Sequence, residues 1–600
     1  MERPPHLAEG DGPPGETKLV ASDPEIQQGS VALGTASIAT WRELVGQHWF
    51  IVSALTAGFF FVTFLVYWYL GPQETPYLHH VNQANNFLHG HLDLREEYSR
   101  NLNTLEAAYY NDKTYMTHPP MPAILLLPFV AVSGLDTNQA LISAVLGGLT
   151  AALAFRIFRS MVSIKSAVWL TVMFTFGSTF WYIAAHGSIW YFSHTVGLMF
   201  LMLAVYFTIT TRNPLAAGLC LGAAFLSRLP MGFSAVFFLL MFSEAPKLAE
   251  TTATDAVSRG RAWAVAYVRT NFVTLAKFSA GAGSFVFIYL LFNYLRFDDP
   301  LEGGHGLSPQ VSQEHLQAVY SHGISDLHYI PRHVAVMFEQ TPLFSKNGSY
   351  VWPSWAGAAV WVTTPALLYA YFPSLRDRRI AIGGAIALMA TILFILTRAL
   401  SRVYWPSLGW DDFRLHDEYF LLPFWGLGLV AILAFTQGRD RVTLATGSLI
   451  AAAASVAFFL SRILADEFWS SLGWQDLNGL YLAPFWVMGV LAIVLALRDR
   501  DKLAVACWSA ILPVGLFLFM FAATGWTQFG YRYATDFYPF LFLLVAKTAG
   551  DKMRWDMRAL ILLGVAVNLW GVLWIYQFDQ HRWVSDFLPS ATDAWTWVSF

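Results

Sequence analysis

The chain has 600 residues, 56% of them apolar, 16% aromatic and 13% charged, with a mean hydropathy of +0.46 and a formal net charge of -3. Soluble domains carry about 25% charged residues, so this composition excludes an ordinary cytosolic protein, and the slightly acidic balance excludes a nucleic-acid partner. The two cysteines, Cys220 and Cys507, both lie in apolar runs, which leaves neither a disulfide framework nor a cysteine-based zinc site.

Residues 1–46 are rich in Pro, Gly, Glu and Ser without apolar periodicity and read as a disordered tail. The first apolar run, Trp49 to Leu70, starts too late and runs too long for a cleavable signal peptide. At about 1.5 Å per residue it is long enough to span a membrane. The next span is predicted near 138–157. Between the two, residues 71–120 form a polar, aromatic and carboxylate-bearing segment, long for a helical bundle. Residues 121–134 (MPAILLLPFVAVSG) are apolar but too short to cross a hydrocarbon core of about 30 Å. They are expected to form an interfacial helix, started by Pro119, Pro120 and Pro122.

Further spans are predicted near 166–185, 190–210, 276–295, 352–373, 380–400, 418–436, 442–462, 480–497, 503–523, 534–547 and 558–577. The run 214–243 is flanked by Arg212 and Lys247 and interrupted by Arg228 and Pro230, so it reads as two short spans or a re-entrant pair. Residues 244–275 carry Lys247, Arg259, Arg261 and Arg269 between apolar positions and suit an amphipathic surface helix. The predicted fold is therefore an all-α polytopic membrane protein of about 13–15 transmembrane helices, with interfacial helices in its first long loop.

Basic residues cluster in short connectors: Arg156, Arg159 and Lys165; Arg376, Arg378 and Arg379; Arg439 and Arg441; Arg498, Arg500 and Lys502; Lys547, Lys552, Arg554 and Arg558. The positive-inside rule places these in the cytoplasm, with the N-terminus inside and the C-terminus outside. The large outer segments are then 71–120 and 296–351. Of the histidines, only His6 and His48 fall away from outer loops or outer span ends.

Three segments look alike, starting at Ser407 (SLGWDDFRLHDEYFLLPFWGLG), Ser471 (SLGWQDLNGLYLAPFWVMG) and Thr524 (TGWTQFGYRYATDFYPFLFLL). Each carries a Gly-Trp pair at the outer end of one span and an aromatic-proline start to the next, a helical hairpin with an interfacial anchor. The third adds Arg532 between Tyr531 and Tyr533, which suits either anchoring or a bidentate phosphate contact.

Four stretches together resemble a known family: QANNFLHGHLDL followed by YNDKTYMTHPPMPAILLLPF, then HGSIWYFSH at 186–194, LFNYLRFDDPLEGGHG at 291–306, and GWTQFGYRYATDFYPF at 525–540. In this order the chain, from about residue 48 onward, is similar to the GT-C superfamily of integral-membrane glycosyltransferases. In particular it resembles the bacterial members related to protein O-mannosyltransferases and lipid A aminoarabinose transferases. The resemblance implies a GT-C-like bundle that takes a sugar from a polyprenyl-phosphate donor at the outer leaflet and passes it to a lipid, glycan or protein hydroxyl, for cell-envelope assembly at the plasma membrane. It implies a catalytic base in the first outer loop near the end of the first span, where this chain has Glu74 in PQETPY. It also divides the chain into a tail (1–46), a catalytic module (47–400, with loops 71–120 and 296–351) and C-terminal hairpin repeats (401–600).

The residues carry a parallel argument. Transfer to a hydroxyl needs a base for the acceptor proton and cationic groups for the leaving phosphate. Glu74, just past a span end, is the first candidate base, with Glu106 and Asp93 in reserve; each also reads as an ordinary solvated loop carboxylate. Arg532, His118 of THPP, Lys113 and Arg228 are the candidate phosphate contacts, and Arg228, inside an apolar run, needs a partner or an aqueous cavity. His79 and His80, and the acidic pair Asp298 and Asp299 beside Glu302, are candidates for a substrate loop, though the acidic pair also fits a turn with solvated charges. No HExxH or comparable cluster appears; a divalent cation is compatible with the chemistry without being required by it. Asn347-Gly348-Ser349 satisfies a glycosylation sequon. Two other functions stand beside the enzyme: a non-catalytic relative serving as scaffold or lipid binder, and a polytopic lipid or polysaccharide transporter.

Overall fold

The computed structural model describes residues 49–100, 106–244, 256–308, 319–340, 342–344, 351–353, 357–370, 501–525 and 528–576. The predicted spans at 380–400, 418–436, 442–462 and 480–497, the repeat copies at Ser407 and Ser471, the sequon at 347–349 and the tail 1–46 lie outside these residues. Helix α1 (Trp49–Leu70) is followed by α2 (His79–Leu88), an antiparallel hairpin of β1 (Ala107–Tyr110) and β2 (Lys113–Met116), and α3 (Met121–Ser133). Then come α4 (Gln139–Met161), α5 (Ile164–Thr175), α6 (Phe180–His186), α7 (Ile189–Ile209), α8 (Pro214–Phe225), α9 (Ala235–Phe242) and α10 (Ala256–Phe297). Short pieces lead to α11 (Lys502–Phe519), α12 (Tyr538–Ala549) and α13 (Trp555–Tyr576).

Among the described residues six helices are long and apolar enough to cross a membrane: α1, α4, α7, α10 from Val265, α11 and α13. A seventh arises if α5 and α6, bent by 56° at their junction, count as one span. The bend has a local cause. Gly177 supplies no side chain, and Ser178 turns its hydroxyl back to donate to the Phe174 carbonyl at 2.6 Å. The fold is thus all-α and polytopic, with helix starts set by side chains the sequence displays: Asn138 accepts from Leu141 N, Asn213 from Ala216 N and Asp501 from Ala504 N.

Without a hydrophobic drive between lipid-bathed helices, packing relies on small residues that let backbones approach. Gly147 and Gly148 of α4 lie under Tyr67 and Phe60 of α1, and Gly218 of α8 meets α10 at the Phe278 carbonyl. Tyr67 is buried and donates its hydroxyl to the Thr175 carbonyl at 2.6 Å, tying α1 to α5.

Two sequence expectations need correction. Residues 256–275 are no separate surface helix: α10 runs unbroken for 42 residues into the span, since no proline intervenes, and its Gly281 packs closely on α8. The predicted span 352–373 is not continuous. Its described part consists of a strand end at Val351–Trp352, a turn of helix at Val360–Thr363 and a 3-10 segment at Pro365–Ala370. Pro365 forces its neighbour Thr364 out of the helical region, to φ -139° and ψ 65°. The run 214–243 breaks, as expected, at Arg228, whose backbone is extended (φ -151°, ψ 111°), and Pro230 then opens a 3-10 turn (Leu229–Ser234) before α9. The apolar stretch 121–134 is a helix as expected, burying Ala123, Leu126 and Val130 against Val81 and Ala84 of α2.

The turns fall at two ends. At one end, Gln139 donates to the Gly187 carbonyl, Arg296 to the Met116 carbonyl and Asp326 N to the Met520 carbonyl. At the other, Ser163 bonds Asp551, Lys502 caps the end of α9 through the Met241 and Ser243 carbonyls, and Lys547 pairs with Asp501. The basic connectors Arg156, Arg159, Lys165, Lys547, Lys552, Arg554 and Arg558 belong to this second end.

Gly218→Val is expected to lower the unfolding temperature in detergent, because a side chain there meets the Phe278 backbone and overpacking costs about 1–3 kcal/mol. Gly283→Ala, with open space around it, should leave that temperature unchanged.

Candidate active site

The first loop is built by α2 and the hairpin. Asn82 exchanges hydrogen bonds with the backbone of Arg100 (2.9 and 3.0 Å), while Asn86 accepts from Arg95 N at 3.0 Å and donates to Ser99 Oγ at 3.0 Å. These amides staple residues 95–100 to α2. The hairpin turns on Asn111 and Asp112, both with positive φ (49° and 57°), the left-handed pair that a two-residue turn of the I′ kind requires. Arg296, at the end of α10, donates to the Met116 carbonyl at 2.7 Å and stacks its guanidinium on Phe292 and Phe297, which fixes the hairpin to the bundle.

The register then continues one residue beyond the strands. Thr117 N donates to the Glu106 carbonyl at 3.1 Å, so Glu106 and His118 are brought together. The Glu106 carboxylate accepts from Trp190 Nε1, at the start of α7, at 2.6 Å and from Thr117 Oγ1 at 3.3 Å; His118 Nδ1 stands 3.9 Å from its second oxygen. The side chains of Glu106 and His118 are only 14% and 13% exposed. Burial raises the Glu106 carboxyl above its ordinary range, outweighing the Trp190 bond, the Arg532 charge and the Thr117 bond that pull it down. The imidazoles around it are held neutral. Burial pushes His118 well below its usual value, helped by His80, His305, His79 and the Arg228 cation, and it lowers His80 to about 3 and His305 to about 4.

The cationic side comes from two breaks in helix. The 3-10 turn Arg532–Asp536, ahead of α12, buries Arg532 with its guanidinium 5.2 Å from the Tyr191 ring centroid and 5.4 Å from that of Tyr533. The extended backbone at Arg228 lets that side chain stand 5.3 Å over the same Tyr533 ring. Its Nε donates to both oxygens of Asp536, at 2.8 and 2.9 Å. Asp536 is fully buried, and His194 Nδ1 lies 3.1 Å from one of its oxygens. Two carboxylates, Glu106 and Asp536, and two guanidiniums, Arg228 and Arg532, thus come together at one end of the bundle, beside Trp190, Tyr191 and Tyr533.

Of the residues singled out by sequence, Glu106, His118, Arg228, Arg532, His79 and His80 come into this neighbourhood. His80 bonds Ser193 Oγ at 2.9 Å, and its ring lies 5.7 Å from that of His118. The others sit elsewhere. Glu74 is exposed on a turn beside Gln73, a residue with positive φ; Asp93 is held by Arg95 at 3.2 Å; and Lys113 is exposed in the hairpin. The second acidic patch spends its carboxylates on local turns: Asp298 accepts from the Tyr110 hydroxyl, Asp299 from Leu301 N and Glu302 from Gly304 N. Among the described residues, no three His, Cys, Asp or Glu side chains converge to hold a metal ion. Sequence reasoning did not single out Asp536, Trp190, Tyr191, Tyr533 or His194. The available signal was Asp536 itself, an acid at the threshold of an apolar helix that only a buried cation could justify.

No protein-family model and no curated protein matches the chain. Among solved structures it is similar to ArnT from Cupriavidus metallidurans bound to undecaprenyl phosphate, at 12% identity over 77% of this chain and 84% of that one, with a TM-score of 0.30. It is also similar to the archaeal oligosaccharyltransferase AglB from Archaeoglobus fulgidus in complex with an inhibitory peptide and a dolichol-phosphate, at 14% identity over 91% of this chain and 59% of that one, with a TM-score of 0.26.

Because its carboxyl is raised in the folded state, Glu106 favours folding fully at pH below its unfolded value of about 4.5, and loses that contribution as pH rises through the folded value. Glu106→Gln keeps an acceptor for Trp190 and carries no charge. The variant's unfolding temperature is expected to exceed that of the wild type by a margin that widens from pH 4.5 to pH 8.

Proposed function

We propose that this chain is a membrane glycosyltransferase that moves a sugar from a polyprenyl-phosphate donor to an acceptor hydroxyl on the extracytoplasmic side. The observation that carries the reading is the meeting of a buried carboxylate with raised proton affinity and two guanidiniums at one end of a membrane-spanning bundle. The order of the four sequence stretches that resemble the GT-C superfamily supports the same class. The proposal moves the base from Glu74 to Glu106. A carboxylate lifted toward neutral pH is a stronger proton acceptor than a solvated one, and Glu106 has the cations beside it that Glu74, exposed on its turn, lacks.

In this mechanism the acceptor oxygen attacks the anomeric carbon while its proton passes to Glu106. The bond from that carbon to the phosphate oxygen breaks, and its electron pair stays with the lipid phosphate, which gains negative charge. Arg532 and Arg228 stabilise that charge, Arg532 as a planar donor held between two phenol rings. The neutral His118 and His80 are suited to hydrogen bonding with sugar hydroxyls without competing for the phosphate. By the positive-inside rule the basic connectors favour a cytoplasmic position for the opposite end, which supports a site on the outer face, with the N-terminus inside and the C-terminus outside. The acceptor is a lipid, glycan or protein hydroxyl of the cell envelope.

The test is donor turnover by the purified protein in lipid nanodiscs, using polyprenyl-phosphate hexoses and pentoses. Glu106→Gln is expected to lower transfer by about 10²–10⁴-fold while donor binding persists. Glu74→Gln should stay within about twofold of wild type. Wild-type rates in the Glu106 variant would remove the base, and movement of lipid across the bilayer without sugar transfer would favour the transporter.

A further inference from the structure

Arg228 holds its partner in an unusual way. Arginine usually meets a carboxylate with two N–H groups side by side. Here the single Nε–H is shared between both oxygens of Asp536, and among the described residues neither terminal amine of Arg228 has a hydrogen-bond partner. The side chain is 15% exposed while Asp536 is fully buried, so the open edge of the guanidinium is its terminal one. Tyr533 covers a face of the same group. Asp536 is itself fixed from behind. An ionised carboxylate can only accept, so His194 Nδ1 is the protonated nitrogen and donates to it at 3.1 Å. His194 is 1% exposed and has Thr535 Oγ1 at 3.0 Å on the same nitrogen.

We propose that Asp536, braced by His194, is a positioning residue that aims the two free amines of Arg228 at the donor phosphate. This rests on the glycosyltransferase reading above. The pair joins α7, the break after α8 and the turn before α12, elements that meet nowhere in sequence, so one buried carboxylate sets the geometry of a cation 308 residues away. Arg532 approaches the Tyr533 ring as well, at 5.4 Å against 5.3 Å for Arg228, so the two guanidiniums stand around a single ring. The product of transfer, a lipid phosphate with one more negative charge than the donor ester, is the anion such a pair fits.

The proposal makes a prediction whose sign is opposite to that of simple electrostatics. Asp536 is a negative charge near an anion site, so if it acted only through its charge, its removal would tighten phosphate binding. If it acts by aiming Arg228, removal weakens binding. Asp536→Asn, close in shape, is expected to weaken binding of a medium-chain polyprenyl phosphate in nanodiscs by about 10–100-fold, the range for a lost charge-assisted hydrogen bond. In an Arg228→Lys background the same change should add less than about twofold, because its effect passes through the missing guanidinium. His194→Gln, whose amide can still donate to Asp536, should weaken binding less and in the same direction, and it carries the test if Asp536→Asn does not fold. Tighter or unchanged binding in folded Asp536→Asn, or full additivity with Arg228→Lys, overturns the positioning role alone. Failure of the wild type to bind polyprenyl phosphate at all overturns the glycosyltransferase reading with it.

Discussion

A charge buried among membrane helices is costly unless a counter-charge or an aqueous cavity meets it, and among the described residues Arg228, at the interruption of an apolar run, pairs with the fully buried Asp536, at the start of another. Their union explains why α8 stops where it does, why the backbone at Arg228 is extended rather than helical, and why the 3-10 turn before α12 lies against α7. Tyr533 gives Arg228 a face to stack on, and Tyr191 and Tyr533 do the same for Arg532.

The carboxylate side depends on a different kind of constraint. Glu106 sits in a loop, and loops position groups poorly unless they are tied down. Here the ties are an asparagine-stapled helix, a two-residue turn with both residues left-handed, and an arginine driven into the hairpin from α10. The effect is a candidate site whose proposed base comes from the first loop and whose two cations come from the break after α8 and the turn before α12.

Much of the membrane architecture was legible in the sequence, because span length and the conflict at Arg228 and Pro230 are local signals. What was not legible depended on tertiary partners or on competing local signals. The continuity of α10 was hidden by its arginines, which mimic an amphipathic surface helix although no breaker separates them from the span. The region 352–373 looked like a span by hydropathy, and Pro365 outweighed that average. The hairpin was missed although Asn111-Asp112 between AAYY and KTYM is a recognisable turn signal. Among the candidate site residues, Arg228, Arg532, His118 and Glu106 stood out by type and position. Their ranking could not be read, since proximity to the first span favoured Glu74, and only burial distinguishes a solvated acid from one with raised proton affinity.

The antiparallel register gives the hairpin a further consequence. Glu106 and Thr117 are the pair just past the last rung, so the acid's location is metered by main-chain bonds counted from the Asn111-Asp112 tip rather than chosen by its own side-chain torsions. Lineages could therefore vary the outward-facing Tyr109 or Lys113 freely, while a single-residue insertion or deletion at the tip would turn the acid to the other face of the ribbon. In this part of the molecule, the position of the acid depends on loop length more than on loop composition.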